Sequence, residues 1–444
     1  MRRLQLALTT IALTLAFAPQ AAAAPQSLAR VPEDTSFALA GDAALLSRTP
    51  GRTVRVDRLP LIAGAPRSTV FRQESAGLGA SAIVSASDQL AAIAVLSAER
   101  RTFRLIGEEF AGPPLGPWTA LGAPRKLGRT RFGPVFHDVD GNRLFTAELS
   151  LGTPNVRWVV REPGAQPRTL RTPRNAIMSA VAGDLLAYAT ATAVIVENWR
   201  TGAQVGRYPA PDDVRWLDLR ADGALVTADG DGTIVERLPG AAPRRLTRRG
   251  VGPAFAGDRI VFIGRPSRAG VVSLYVAEPD GRVRPFGVPS ADLTEFVSDG
   301  QRVLWRGNGC LLAAPITDPA ADAPDVGACP RGEVYVPDAF SRRVMRDRRV
   351  RFRMQCVAAA PPGCRGTLTL LPAFRASRLA KPHRFHIAVG RRAHLSVPLT
   401  RRGYKAVVRS NRQIGGAPVN VRTVTVDPDG RRHLQLHHLV IDVR

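Results

Sequence analysis

Lysine is nearly missing from this chain: only Lys126, Lys381 and Lys405 stand among 62 basic residues, and the rest are arginine. Cysteine is scarce too, with four in 444 residues, which excludes a fold held together mainly by disulfides. Aromatic residues make up 6%, and of seven histidines only His137 precedes residue 331, so a histidine-based active site has little to draw on there. After the first 24 residues no apolar run approaches the roughly 20 residues of a membrane span, which excludes a polytopic membrane protein. Acids are outnumbered, 37 to 62, for a formal charge of +25. Gly-x-Ser-x-Gly, His-Glu-x-x-His and the phosphate loop are all missing, so no common catalytic motif marks an enzyme.

What is present begins with Met1-Arg2-Arg3, an apolar stretch from Leu4 to Ala18, and Ala21-Ala22-Ala23-Ala24. A positive start, a short apolar run and small residues are the layout of a secretory signal peptide. Residues 1–24 are therefore expected to be removed after one of Ala22 to Ala24. The mature protein is expected outside the cytoplasm, secreted or attached to the cell envelope. No cysteine follows the run to take a lipid.

From residue 31 to 330 the chain repeats an apolar strand, a turn with Asp and Gly, and a second apolar strand. The marking residues are Asp42, Asp88, Asp140, Asp184, Asp222, Asp258 and Asp299, spaced about 43 residues apart on average. That period, with about four short strands per unit, predicts an all-β architecture, a seven-bladed β-propeller. In the clearest unit, strands are predicted over 214–219, 224–228, 233–237 and 243–247. Val297-Ser298-Asp299-Gly300-Gln301-Arg302-Val303-Leu304-Trp305 resembles the repeat of WD40-like propellers of the kind found in the bacterial translocation protein TolB. The resemblance covers about 290 residues and implies architecture; it brings no catalytic residue with it.

Residues 331–444 change character, with 22 Arg and 2 Lys against 6 acids, a net of +18. Val350, Phe352, Met354 and Cys356 alternate with Arg351, Arg353 and Gln355, the period of a strand with one apolar face. Six to eight such strands predict an immunoglobulin-like β-sandwich. Cys356 followed by Gly363-Cys364-Arg365-Gly366 is similar to the C-terminal sandwich domains of secreted actinobacterial proteins. Four cysteines allow three pairings. The local solution, Cys310 with Cys329 and Cys356 with Cys364, keeps each bridge inside one domain, and Cys310–Cys329 would join the third and fourth strands of the last blade.

Two segments stand out as binding candidates. Residues 107–121 read as a long loop of the second unit, carrying Glu108, Glu109 and Trp118 on a proline-stiffened backbone. Arg342, Arg343, Arg346, Arg348, Arg349, Arg351 and Arg353 form the densest run of charge; guanidinium groups pair bidentately with phosphate and carboxylate. Asp138-Val139-Asp140-Gly141-Asn142 invites a calcium reading, but Arg143 and Leu149 stand where an EF-hand loop needs Gly and Glu. His433 and His437 share a strand face but lie about 13 Å apart, too far to share a metal. No metal or cofactor is expected, nor any specific nucleic acid. The expected function is non-enzymatic binding: the propeller meets a protein or glycan, and the basic tail holds to an anionic envelope polymer or lipid headgroups. The alternative is a propeller lyase or hydrolase acting on extracellular glycans.

Overall fold

A computed structural model describes residues 26–443 apart from 32–34, 51, 63, 100–104, 128–131, 151–155, 171–175, 177, 211–212, 266–271, 291–292, 294, 308–309, 318–333, 337–341, 345–346, 357–362, 373–376, 389–390, 415, 427–429 and 431. The expected leader, residues 1–24, lies outside the described residues. No helix among the described residues is long and apolar enough to cross a membrane.

Between residues 26 and 315 the chain forms small antiparallel sheets of four or five strands, seven among the described residues. We number them one to seven from the residue at which each first strand begins: 36, 78, 132, 178, 214, 250 and 296. Six are consecutive up-and-down runs, as local alternation and tight turns require. In the fifth, strands Val214–Leu219, Leu225–Asp229, Ile234–Arg237 and Arg244–Thr247 fall almost where the sequence predicts them. The turn glycines Gly141 and Gly183 hold φ of 59° and 55°, a left-handed conformation that a side chain disfavours.

Such a sheet cannot bury both faces by itself, so each packs on the next. Leu45, Val56 and Phe71 of the first sheet meet Val84, Ile93 and Phe110 of the second. Phe145 and Trp158 of the third meet Leu186 and Trp199 of the fourth, and the fourth, fifth, sixth and seventh are joined in the same way. Leu304 and Leu311 of the seventh sheet pack on Phe37 and Leu46 of the first, which closes the series. The first strands of the first and second, second and third, fourth and fifth, fifth and sixth, and seventh and first sheets touch one another, so the sheets surround an axis: this is a β-propeller.

The seventh sheet corrects two expectations. Its outer strand is Gln26–Arg30, paired antiparallel with Cys310–Pro315, so the propeller begins before residue 31 and the ring is closed by the chain's N-terminal side. The fourth place in that sheet, expected for the segment around Cys329, is taken by Gln26–Arg30. Cys310 is fully buried and disulfide-bonded; its expected partner, Cys329, lies outside the described residues. Cys356 and Cys364 are bonded to each other.

The C-terminal part holds eight strands and one helix among the described residues. Val334–Tyr335, Arg349–Cys356 and Arg392–Pro398 form one ladder. Arg342–Val344, Arg432–Val443, Ala417–Val426, Cys364–Pro372 and His383–Ile387 form another. The Val344–Val350 pair joins the two into a single hydrogen-bonded sheet around one core that includes Val350, Met354, Leu370, Val421 and Ile441. The helix Arg401–Ile414 was not expected from the sequence. Thr400 caps it, its Oγ1 accepting the Gly403 N–H at 2.9 Å, and Val407 anchors its inner face in the core. Gly403 is required because a Cβ there would lie 2.1 Å from the Leu379 carbonyl oxygen.

Candidate functional site

Glu108 and Glu109 are not on a loop. They lie on strand Leu105–Gly112, where both are buried. The apolar, glycine-containing stretch that continues to residue 112 pairs along its length with Ala91–Ala98, so only the turn beyond it is irregular. Glu108 accepts hydrogen bonds from the Ser75 hydroxyl at 2.7 Å and the Ala76 amide at 2.9 Å. Trp118 stacks on Phe71 of the first sheet at 5.3 Å and donates its indole N–H to the Pro113 carbonyl at 2.8 Å. The segment is thus folded onto its neighbours.

Glu109 is the centre of a buried network between the second and third sheets. Arg161 grips it bidentately at 3.0 and 3.1 Å, Arg125 reaches it at 3.2 Å, and Thr146 donates its hydroxyl. His137 Nε2 lies 3.0 Å away. A carboxylate can only accept, so Nε2 carries the proton, and His137 Nδ1 is left buried with no hydrogen-bond partner among the described residues. Burial alone would push the Glu109 carboxyl up, but the His137 hydrogen bond, His137 and Arg161 charges and Thr146 hold it below its ordinary value. Arg125 and Arg157 also converge on Glu148, at 2.5 and 2.8 Å. Between these sheets the buried apolar cluster is small, Ala92, Ala111 and Leu144, flanked by the partly buried Leu90, Leu121 and Val139, and the charged network adds to its cohesion.

The first strands carry a second group of acids. The Asp138 side chain reaches water yet is enclosed by protein, as expected for a group facing the channel along the axis. Enclosure and the negative charge of Asp218 push its carboxyl up to about 7. Asp218 is itself pushed up to about 6 by burial, although it accepts the Phe255 N–H at 2.7 Å. Trp216, on the same strand as Asp218, is 36% exposed. This geometry offers carboxyls able to hold a proton near neutrality, but His137 is turned away into the Glu109 network.

The other turn acids are structural. Asp140 accepts the Gly183 N–H at 2.9 Å, tying the third sheet's turn to the fourth's. Asp229 accepts the Thr233 N–H at 2.8 Å within its own hairpin. Among the described residues no group of three or more His, Cys, Asp or Glu could hold a metal ion. His433 and His437 are both buried.

In the tail, Arg346 lies outside the described residues, and Arg342 and Arg343 fall on strand Arg342–Val344. Arg348 is exposed at a turn with φ 57°. Arg349 donates to the Ser396 hydroxyl at 2.9 Å, and Arg351 pairs with Asp347 at 3.1 Å. Arg351 and Arg353 are exposed, opposite the core residues Val350 and Met354. The run is thereby divided between two strands and a turn. The alternation read from the sequence points Arg351 and Arg353 outward correctly; what it missed is the second basic surface on the unexpected helix.

No protein-family model and no curated protein matches this sequence. Among solved structures it is similar to YCF48 bound to D1 peptide, at 12% identity over 68% of this chain and 99% of that one, with a TM-score of 0.43. The β-propeller domain of the trilobed protease from Pyrococcus furiosus is similar at 10% identity over 66% and 94%, with a TM-score of 0.42. The WD40 domain of SCAP from fission yeast gives 10%, 62% and 82%, and 0.39.

Proposed function

We propose that this is an exported, non-enzymatic binding protein. A seven-bladed propeller meets a protein or glycan partner, and a basic immunoglobulin-like domain attaches the whole to an anionic polymer of the cell envelope. The ladder order of the C-terminal strands, with Arg342–Val344 parallel to the last strand, supports the immunoglobulin-like reading.

One contrast carries the proposal. Many propeller arginines are paired with acids: Arg48 and Arg55 converge on Asp57, Arg143 and Arg200 on Asp184, Arg259 and Arg284 on Glu278, while Arg72, Arg207, Arg245 and Arg249 are exposed without an acid partner among the described residues. The tail carries most of the net charge, and its helix cations Arg402, Lys405, Arg409 and Arg412 have no acid partner among the described residues. A taste for arginine over lysine accounts for the residue type in both domains but not for this difference in pairing. The test is cosedimentation of the full chain with isolated cell envelopes across a salt series. Binding that falls steeply with salt is expected; no binding at low salt would refute the attachment.

Asp138 and Asp218 favour the second reading, a glycan lyase or hydrolase, because a carboxyl protonated near neutrality can serve as a general acid. Release of new reducing ends from envelope glycans, lost in Asp138→Asn, would establish it.

A further inference from the structure

We infer that the outward face of the helix Arg401–Ile414 is the binding site for a linear, phosphate-bearing polymer. This deepens the attachment reading above and rests on it. Arg402, Lys405, Arg409 and Arg412 are all exposed, and their spacing of three, four and three residues places them on one side of the helix. At 1.5 Å of rise per residue the row is about 15 Å long. The helix contains no Asp or Glu, and its first turn, where the backbone dipole is positive, carries Arg401 and Arg402 instead of an acid. Such a surface repels itself until an anion arrives.

A concavity of about 470 Å³ runs beside the row, lined by Tyr404, Lys405, Val408, Arg409 and Arg412. The helix is held from behind by Val407, Gly403 and the Thr400 cap, so the cations stand on a fixed platform. Four cations spread along 15 Å cannot converge on one ion, which argues for a chain of charges over a single phosphate. A membrane-surface helix turns its apolar face outward; here the apolar face is against the sheet, which argues against a bilayer.

The probe is long-chain inorganic polyphosphate, titrated into the full-length protein from 50 to 300 mM salt, beside inorganic phosphate and vesicles of equal parts phosphatidylcholine and phosphatidylglycerol. Lys405→Gln/Arg409→Gln/Arg412→Gln is expected to weaken polyphosphate binding about tenfold or more at low salt. It should also lower the log–log salt slope by about 2, since each contact contributes roughly 0.7 on a single-stranded polyanion. Arg351→Gln/Arg353→Gln is expected to leave both within about twofold. Should the triple variant fold poorly, Arg409→Gln alone is expected to lower the slope by about 0.7. Equal binding by wild type and helix variants, or a loss that maps to Arg351 and Arg353, overturns the site while the attachment reading stands. Binding no tighter than that of inorganic phosphate, or found only on vesicles, overturns the polymer. No binding of any anion overturns site and attachment together.

Discussion

Arg161 holds Glu109 through two parallel hydrogen bonds of 3.0 and 3.1 Å, joining the third strand of one sheet to the third strand of the next. Removing the carboxylate charge leaves Arg161 facing a neutral group in a buried site. Glu109→Gln is expected to cost about 2–3 kcal/mol at pH 7, at the lower end for a broken buried pair because Arg125 remains partly in water. The Glu109 carboxyl is held low in the folded state, so its contribution is present above its unfolded value near 4.5 and is lost as pH falls through the folded one. Urea denaturation at pH 7 and at successively lower pH should show the wild-type advantage shrinking on acidification.

Leu28 is the buried residue through which the outer strand of the seventh sheet enters the cluster that closes the ring. Leu28→Ala is expected to cost about 2–4 kcal/mol, as for other buried leucines. Deleting residues 26–30 should do more, exposing the edge of Cys310–Pro315 and lowering the propeller's melting transition while the tail's transition stays in place. Calorimetry of the two variants checks both; an unchanged melting curve would show that the strand does not close the ring.

Asp138 and Asp218 have folded-state values raised to about 7 and about 6, above the ordinary 3.8. The folded protein therefore binds these protons more tightly than the unfolded chain. The stabilisation is complete below about pH 3.8 and disappears as pH rises through 6 and then 7. Asp138→Asn/Asp218→Asn should be more stable than wild type at pH 8, by about 1–2 kcal/mol after allowing for screening by channel water. The difference should vanish near pH 4. Asp218→Asn alone should lower the titration midpoint of Asp138, readable by carboxyl-carbon NMR.

The Cys356–Cys364 bridge closes a short loop, with a sequence separation of 8. Cys356→Ser/Cys364→Ser is expected to destabilise the C-terminal domain by about 2–3 kcal/mol, the chain-entropy value for a loop of that length. Thermal melting with and without reductant should reproduce the loss in the wild-type C-terminal domain's transition and leave that transition of the double variant unaffected, the Cys310 bridge being common to both proteins.

Strand alternation, the Asp-Gly turns and their spacing are local features. They determined the repeated hairpins, the sheet boundaries and the break in character near residue 331, because a period of two and a positive φ need no distant partner. Partners far apart in sequence were decided only by the tertiary structure. Glu109 and Arg161, 52 residues apart, meet because two sheets pack face to face, and no local pattern distinguishes a glutamate bound for that contact from one on a loop. The closing strand 26–30 depends on the two ends of the ring coming together. The helix Arg401–Ile414 has a glycine and two β-branched valines, which lower helical propensity, and five basic side chains that repel one another. Packing of Val407 and Tyr404 onto the sheet, with Gly403 against Leu379, supplies what propensity does not, and leaves its cations facing outward.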